Sequence, residues 1–490
     1  MANLTKEDIR SVIEIIKELY LEDMIPWICG YSGGKDSTAV VQLVWYALQE
    51  LPKDKLKKTV HVISTDTLVE SPVVAIWATE SLKKMEQSAK EQGLPIIPHR
   101  LTPAITNTFW VNLIGRGYPY PRRDFRWCTD RLKIDASNRF IKSILDAESE
   151  TIMVLGSRKA ESAARKTVLE DYEKKRYRAH LSPNGSFPNS YVFTPIENWL
   201  NDNVWQYLLQ VSNPWGHSNK DLLAMYSGAS SDGECPLVID SSTPSCGNSR
   251  FGCWVCTMVT EDKSMAAMIQ NDEEKAWMLP MLEFRNEIAG YGDWKTDRER
   301  RDFRKRDGRL QWYNNRLVHG PYKQETREYF LRRLLEVERL VHEIGPDKIK
   351  NVPLITMEEL KFIRQLWLDE FHEFGDSLPK IYEEVTGRNY SDETISKNKY
   401  FGAAEVDLLK EVCAELYPGE DLLAEMQRAL LDTEAKAAAI SNKRNVILNF
   451  EKEIKKAFYK NEKDAEQIAS ARAHRISDIT GEAIPDDLVD

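Results

Sequence analysis

Nowhere in the 490 residues is there an apolar run of the roughly 18–20 positions that a membrane-spanning helix needs. The N-terminus, MANLTKEDIR, lacks a signal-peptide pattern, so the expectation is a cytoplasmic chain with no membrane role. Surplus positive charge is missing as well. Lys and Arg number 67 against 77 Asp and Glu, a formal net charge of −10. That excludes a protein coated in basic surface, so nucleic acid would have to be met through a local patch or with help. Internal repeats, low-complexity segments and long flexible linkers are absent. Cysteine is sparse: there are seven, an odd number, four of them close together. Such a pattern in an intracellular chain favours metal binding over disulfides. What remains is a chain long enough for two or three domains, with a hydrophobic content of 42% to fill their cores.

The most informative stretch is residues 29–38, CGYSGGKDST. A short apolar segment of strand length, residues 24–28, precedes it, and residues 39–48 are apolar enough for a buried helix. Strand, glycine turn and helix bring backbone N–H groups and a positive helix end against phosphate. Gly33 and Gly34 allow close approach to a ligand, and Ser32 and Ser37 donate from their hydroxyls. Lys35 brings charge to phosphate oxygens, and Asp36 is a candidate holder of Mg²⁺. The spacing is neither G-x-x-x-x-G-K-[ST] nor G-x-G-x-x-G. A plain turn before a helix cap is the bland alternative.

Around this stretch the pattern alternates. Residues 5–20 read as a helix capped by Thr5 with Asp8, carrying Ile9, Val12, Ile13 and Ile16 on one face. Strands are expected at 59–64, 96–101 and 151–155, with helical patterns between them. The expected fold is α/β, a doubly wound, mostly parallel sheet with ligands at the carboxyl ends of its strands. Asp66 falls at such an end, as a nucleotide contact or a turn residue. Residues 115–133 mix Gly, Pro and aromatics with Arg122, Arg123, Arg126 and Arg131. Arginines among aromatics suit phosphate contacts with base stacking; a solvated loop is the alternative. Cys128 lies among these guanidiniums, which should lower its pKa, unless it is buried and inert. Farther on, Arg158, Glu161, Ser162 and Arg165 follow Gly156 at helix-like spacing. A helix with Val204 and Tyr207 inward, beside Trp199, starts near Asn201 or Asp202.

SGGKDS resembles the S-G-G-x-D-S loop of the PP-loop ATP pyrophosphatases, which cleave ATP between the α and β phosphates and adenylate an acceptor oxygen. Three further signatures follow in order. They are C-T-x-x-L-K at residues 128–133, G-x-R-x-x-E-S-x-x-R at 156–165, and P-I-x-x-W with V-W-x-Y-L from Pro195. Together they resemble the PAPS-reductase branch of that superfamily over roughly residues 25–215. The resemblance implies ATP binding by Ser32 to Ser37 with Asp66 and Arg165, and catalytic roles for Lys35, Asp36, Cys128 and Arg158. Reductases of this branch use a C-terminal Glu-Cys-Gly-type nucleophile. Here the last cysteine is Cys413, which counts against reduction.

Cys235, Cys246, Cys253 and Cys256 make a C-x₁₀-C-x₆-C-x₂-C cluster. A lone C-x-x-C with two nearby thiols suits a tetrahedral thiolate site. Its asymmetry leans toward iron–sulfur, with zinc or no metal as the alternatives. GECP followed by RFGCWVCT after such a domain is similar to the DndC family, the sulfurtransferase of bacterial DNA phosphorothioation. That resemblance implies a [4Fe–4S] cluster, double-stranded DNA as substrate, a cysteine desulfurase as sulfur donor and other Dnd subunits as partners. Some reductases of the branch ligate their cluster at the position of Cys128, so a ligand role is open for that residue too. Other readings are a PAPS-reductase-like or tRNA-thiolating enzyme, and a non-catalytic ATP-sensing subunit.

Beyond residue 260 the pattern is helical. Residues 295–309 carry surplus positive charge, either for a DNA backbone or as an ion-paired helix face. Phe330, Leu334, Val337, Val341 and Ile344 form one stripe, and Thr356 with Glu359 caps a helix carrying Leu360, Ile363 and Trp367. Residues 421–460 read as a further long helical pattern, and PDDLVD as a frayed tail. The expected division is 1–230 for the ATP pyrophosphatase domain, 231–265 for the cysteine segment and 266–490 for an α-helical accessory region.

Overall fold

The computed structural model describes residues 4–122, 125–229, 252–290, 296–391, 402–438, 445–480 and 487–489. The chain forms two compact units. The first comprises residues 1–104, 121–285 and 344–352, and the second 105–120, 286–343 and 353–490.

The first unit is built in chain order from α1 (Lys6–Glu22), β1 (Trp27–Gly30), α2 (Lys35–Gln49), β2 (Val60–Thr65), α3 (Pro72–Gln92) and β3 (Ile96–Leu101). It continues with α4 (Asp135–Glu148), β4 (Thr151–Val154), α5 (Ala163–Lys174), β5 (Ser182–Pro183), β6 (Ser190–Phe193) and α6 (Asn201–Gln210). Helices α7 (Asn219–Gly228), α8 (Lys263–Asn271) and α9 (Leu279–Ile288) follow. The strands lie in the order β3-β2-β1-β4-β6-β5. The first five are parallel, and β5 pairs antiparallel with β6 at the edge. This is the mostly parallel sheet with flanking helices that the alternation predicts. The path runs outward from β1 through β2 to β3, then returns to β4 on the other side of β1. Strand order therefore reverses between β1 and β4, and open α/β sheets hold ligands at that point, beyond the carboxyl ends.

Local chemistry explains the elements. Thr5 caps α1 with its hydroxyl on the Asp8 N–H, and Asp8 reaches back to the Thr5 N–H, the capping box expected from the sequence. Helix α2 is buried almost all round, because Val40, Leu43, Val44, Trp45 and Leu48 are enclosed against sheet and neighbouring helices. It starts earlier than its apolar run, at Lys35 directly after the glycine turn. Trp199, Val204 and Tyr207 are buried in the same core.

The second unit is mainly helical, as expected, with α10 (Gln324–Ile344), α11 (Met357–Glu370), α12 (Ser377–Thr386), α13 (Ala403–Leu416), α14 (Leu423–Ala438), α15 (Val446–Lys456) and α16 (Glu462–Thr480). The capping box of Thr356 and Glu359 is present, and Leu360, Ile363 and Trp367 are buried. The α10 stripe is buried from Phe330 to Val341 and ends with Ile344 exposed. Three features depart from expectation. The pattern over 421–460 divides into α14 and α15. A small antiparallel sheet forms from β7 (Gln311–Tyr313), β8 (Arg316–Leu317) and β9 (Asp487–Val489), in the order β8-β7-β9. The tail read as frayed thus supplies a strand, because β7 has an open edge whose backbone groups need partners.

The third departure is the basic run. Within its described residues, 296–309, it is irregular, and its arginines are anchored in the unit. Arg300 gives a hydrogen bond to the Glu287 carbonyl, 2.7 Å away. Arg301 pairs with Asp297 at 3.0 Å. Arg304 pairs with Asp302 at 2.7 Å and Glu425 at 2.9 Å, and donates to the Lys456 carbonyl at 2.8 Å. Arg300, Arg301 and Arg304 are all buried, so their charge knits loop to helices and is withheld from a DNA backbone. Arg304→Ala leaves Asp302 and Glu425 without their guanidinium. Urea unfolding should show a loss of about 3–5 kcal/mol, whereas Arg309→Ala, on an exposed pair, should leave the midpoint nearly unchanged.

Candidate functional site

The turn between β1 and α2 is held by its own hydroxyls. Ser37 donates to the Gly34 carbonyl at 3.0 Å, and Thr38 Oγ1 donates to the same oxygen at 2.8 Å. The Ser32 N–H reaches Ser37 Oγ at 3.2 Å. Gly33 has φ +74°, a left-handed conformation that favours glycine, and its carbonyl accepts the Trp77 indole N–H at 3.2 Å. Trp77 in turn stacks on His217, with centroids 3.7 Å apart. The N-terminus of α2, with its positive dipole end, opens at this turn.

Asp36 lies at the centre of the charge. Arg158 donates through Nε to Asp36 Oδ1 at 2.6 Å, and Lys35 Nζ stands 3.0 Å from Oδ2. Both carboxylate oxygens already face cations, so a divalent ion at Asp36 would have to displace Lys35. The resemblance implies a catalytic role for Arg158, facing the ligand. It is instead buried, with Nη1 on the Trp199 carbonyl at 3.2 Å. Its role here is to position Asp36. Gly156, where the chain leaves β4, explains the close fit. A Cβ there would lie 2.9 Å from the carbonyl carbon of Asp36. Tyr226 closes the other side: its hydroxyl accepts the Lys35 N–H at 3.4 Å, and Lys35 Nζ lies 5.5 Å from its ring centre.

Two arginines expected at this site are placed otherwise, and a third is not described. Arg165 sits on the exposed face of α5 and pairs with Glu161 at 3.3 Å. Arg122 is exposed, its backbone bridged to Phe125, and Arg123 lies outside the described residues. Asp66 serves the turn reading. Its Oδ1 accepts the Leu68 N–H at 2.9 Å and its Oδ2 pairs with Arg100 at 2.6 Å.

That turn leads to the second half of the site. The Trp254 N–H donates to the Val69 carbonyl at 3.0 Å, and Glu70 bridges to Cys253 through the backbone. Thr67 Oγ1 lies 3.3 Å from Cys253 Sγ. Cys128 and Cys256 interact electrostatically with each other, and the Lys133 ammonium feels Cys253, Cys128 and Cys256 together. Cys128 thus comes within electrostatic reach of Cys253 and Cys256, which follow it by more than 120 residues of sequence. Cys235 and Cys246 lie outside the described residues. The hydroxyl contact from Thr65 to Ser137 at 3.2 Å seats the start of α4 here, and with it Cys128 and Lys133.

The electrostatics differ from the sequence reading. Nearby arginines were expected to lower the Cys128 pKa. Burial instead pushes its thiol up, and Cys256 adds to the rise. Burial pushes Cys253 up to about 11, against the pull of Lys133 and Thr67. Glu70 is raised by burial, opposed by Lys133, 3.9 Å away. Burial works against the Lys133 charge, but Cys253, Glu70, Cys128 and Cys256 outweigh it, and its ammonium is pushed up. Cys29 faces the core, where burial raises its thiol to about 12. Among the described residues no three Cys, His, Asp or Glu side chains stand ready-arranged around a metal position. The donor chemistry nonetheless fits a thiolate-held group. Cys253, Cys256 and Cys128 supply soft sulfur, Lys133 supplies compensating charge, and metal would have to displace the thiol protons.

Arg285 fixes the cysteine segment. Fully buried, it donates to the carbonyls of Cys256 at 2.9 Å and Thr260 at 2.9 Å, and to that of Val259. Sequence reasoning passed over Arg285, Tyr226, Lys133, Glu70 and Thr67. Only Lys133 lies in a recognisable motif; the others act through distant pairing.

Residues 26–217 match the phosphoadenosine phosphosulfate reductase domain family. This segment is a PAPS reductase-like domain. An uncharacterised protein of Methanocaldococcus jannaschii is 30% identical over 206 residues, covering 42% of this chain and 36% of that protein. The chain thus spans about a third of the length of that curated relative. Two solved structures are similar to parts of this chain. A PAPS reductase of Candida auris in a phosphate complex is 12% identical, with a TM-score of 0.25, over 43% of this chain and 88% of its own. The U34-tRNA thiolase NcsA of Methanococcus maripaludis, with its [4Fe–4S] cluster, is 13% identical, with a TM-score of 0.26, over 60% and 84%. The PAPS reductase-like domain holds the glycine turn, Gly156, Arg158, Cys128 and Lys133, while Tyr226, Cys253 and Cys256 fall beyond it. No helix of the described residues is long and apolar enough to cross a membrane.

Two substitutions test this geometry. Gly156→Ala places a methyl against the Asp36 backbone and should cost about 1–3 kcal/mol in thermal unfolding while weakening ATP binding. Arg285→Met should release the segment around Cys256. Thiol labelling of Cys253 and Cys256 in the metal-free chain should accelerate about tenfold or more, with Cys29 unchanged.

Proposed function

We propose that the chain is an ATP-dependent sulfurtransferase that places sulfur in the DNA backbone, acting as an ATP pyrophosphatase on a backbone phosphate. The observation that carries this reading is the carboxyl end of one sheet, which holds a phosphate-type turn after β1 and, after β2, Cys253 and Cys256 acting with Cys128 on Lys133. ATP phosphates would lie on the turn Ser32–Ser37 against the α2 N-terminus, with Lys35 neutralising charge and Arg158 holding Asp36 in place. A DNA phosphate oxygen attacks the α-phosphorus, and pyrophosphate leaves. Hydrosulfide then attacks the adenylated DNA phosphorus, AMP leaves, and the sulfur proton is lost to solvent. The protein's part is chiefly positioning and charge neutralisation.

A persulfide on Cys128 is an alternative donor. Its outer sulfur attacks phosphorus, AMP leaves, and a neighbouring thiol breaks the sulfur–sulfur bond, forming a cysteine disulfide and releasing the phosphorothioate. In a form without a cluster, Cys253 or Cys256 would supply that thiol. A [4Fe–4S] cluster held by Cys253 and Cys256 with Cys235 and Cys246, or with Cys128 in place of one of the latter two, would supply a soft site for sulfur. A cysteine desulfurase as donor, double-stranded DNA as acceptor and companion subunits of the Dnd type complete the proposal.

The expected products are AMP and pyrophosphate. Asp36→Ala should abolish pyrophosphate release with circular dichroism unchanged. Anaerobically purified protein should be brown, with about four irons per chain, and Cys253→Ser should bleach it. Formation of ADP by the wild type with its partners and DNA would refute the mechanism. Stoichiometric zinc in a colourless anaerobic sample would replace the cluster with a structural site.

A further inference from the structure

Gly34 has no Cβ, and two hydroxyls use the room. A Cβ there would lie 3.1 Å from Tyr226 Oη and 3.5 Å from Ser32 Oγ. The same two oxygens accept the N–H groups at the start of α2. Ser32 Oγ takes that of Gly34 and Tyr226 Oη that of Lys35, each at 3.4 Å. Both bonds are long for N–H···O, where about 2.9–3.0 Å is usual. A phosphate oxygen on a backbone N–H is charge-assisted, so it sits closer and binds more strongly than a neutral hydroxyl. It also needs the N–H nearly to itself, because the bond weakens steeply away from a straight line. Tyr226 Oη therefore stands where a phosphate oxygen on Lys35 would stand.

Tyr226 reaches this place on a helix that is fixed at its other end. In the first turn of α7 the buried Asn219 side chain donates to the Leu208 carbonyl at 2.8 Å and to the Val211 carbonyl at 3.2 Å. It also accepts from Gln42 Nε2 at 2.8 Å. Gln42 belongs to α2, so α7 is tied to the helix whose start it covers. Tyr226 lies in the last turn of α7, its ring edge-to-face with Trp205 and the centroids 5.1 Å apart. Burial pushes its phenol pKa well up, so it meets the turn as a neutral hydroxyl. The residue falls outside the matched segment 26–217, so its contact is an addition to the shared domain.

We propose that Tyr226 gates the phosphate site: its hydroxyl caps the start of α2 and gives way when a phosphate of ATP or pyrophosphate takes the same N–H. The gate rests on the ATP-binding reading of the turn and adds a control to it. A ligand without a phosphate has nothing to set against the hydroxyl and leaves Tyr226 in place.

The test is calorimetric titration of the full chain with inorganic pyrophosphate, wild type against Tyr226→Phe. Phenylalanine keeps a ring against Trp205 and Lys35 and removes only the hydroxyl. The variant should bind pyrophosphate about three- to tenfold more tightly, because one weak hydrogen bond no longer has to be displaced. A fluorotyrosine placed at position 226 gives a second readout. Its fluorine resonance should move on saturation with pyrophosphate and stay where it is with adenosine. Equal affinity in Tyr226→Phe would make Tyr226 a packing residue, and weaker binding would make its hydroxyl a phosphate ligand. Either result overturns the gate, as does a fluorine resonance unmoved by pyrophosphate. Absence of pyrophosphate binding in both proteins would overturn the phosphate reading of the turn itself, and the gate with it.

Discussion

Two contacts join the end of β4 to the start of α2: the near-touch of Gly156 on the Asp36 backbone and the Arg158–Asp36 ion pair. Phosphate chemistry at a helix N-terminus needs backbone N–H groups held in place before the ligand arrives. Here the glycine turn alone does not achieve that. Its hydroxyl bonds set the local curve, but the position of Asp36 comes from a strand more than a hundred residues later. Arg158 is buried because its job is internal. Its charge, facing Asp36, lets Lys35 remain beside the pocket without being the sole counter-charge to that carboxylate.

The placing of Cys253 and Cys256 rests on a similar division of labour. Asp66 turns the chain after β2, and the following residues offer a carbonyl to Trp254 and a hydroxyl to Cys253. Arg285 holds the far side of the same segment through three carbonyls. Lys133 brings one ammonium within reach of three sulfurs, which lowers the cost of turning thiols into thiolates when a soft ligand or metal arrives. Burial and positive charge act in opposition on Cys253, and in the metal-free chain burial is the stronger.

Much of the architecture was legible because it is written locally. The capping boxes at Thr5 and Thr356, the strand at 96–101 and the buried face of α10 follow from spacing and side-chain type. The glycine turn was legible because only small residues fit such a loop. The role of Arg158 was not, because a motif gives residue order but not whether a guanidinium turns outward to solvent or inward to a carboxylate. The thiolate expectation for Cys128 failed for the same reason: neighbours in sequence promised positive charge, and neighbours in space supplied burial. In the basic run, order alone left Arg304 between a DNA contact and an ion-paired face, and its partners, Asp302 and distant Glu425, decide for the ion pairs.

The way the chain is divided between its two units has a practical edge. Residues 105–120 leave the first unit to join the second, where Trp110 donates to the Leu354 carbonyl at 2.7 Å and Trp367 to that of Ile114 at 3.0 Å. Residues 344–352 make the reverse excursion. No single cut in the polypeptide separates the two cores. A gene fragment ending after the cysteine segment would lack both the arginine that anchors that segment and the helix that shelters the 105–120 excursion. Such a fragment would be translated with Trp110 and the surface around it without the Leu354 carbonyl and the helix that cover them. The practical unit of expression, and of inheritance by recombination, is therefore the interwoven pair.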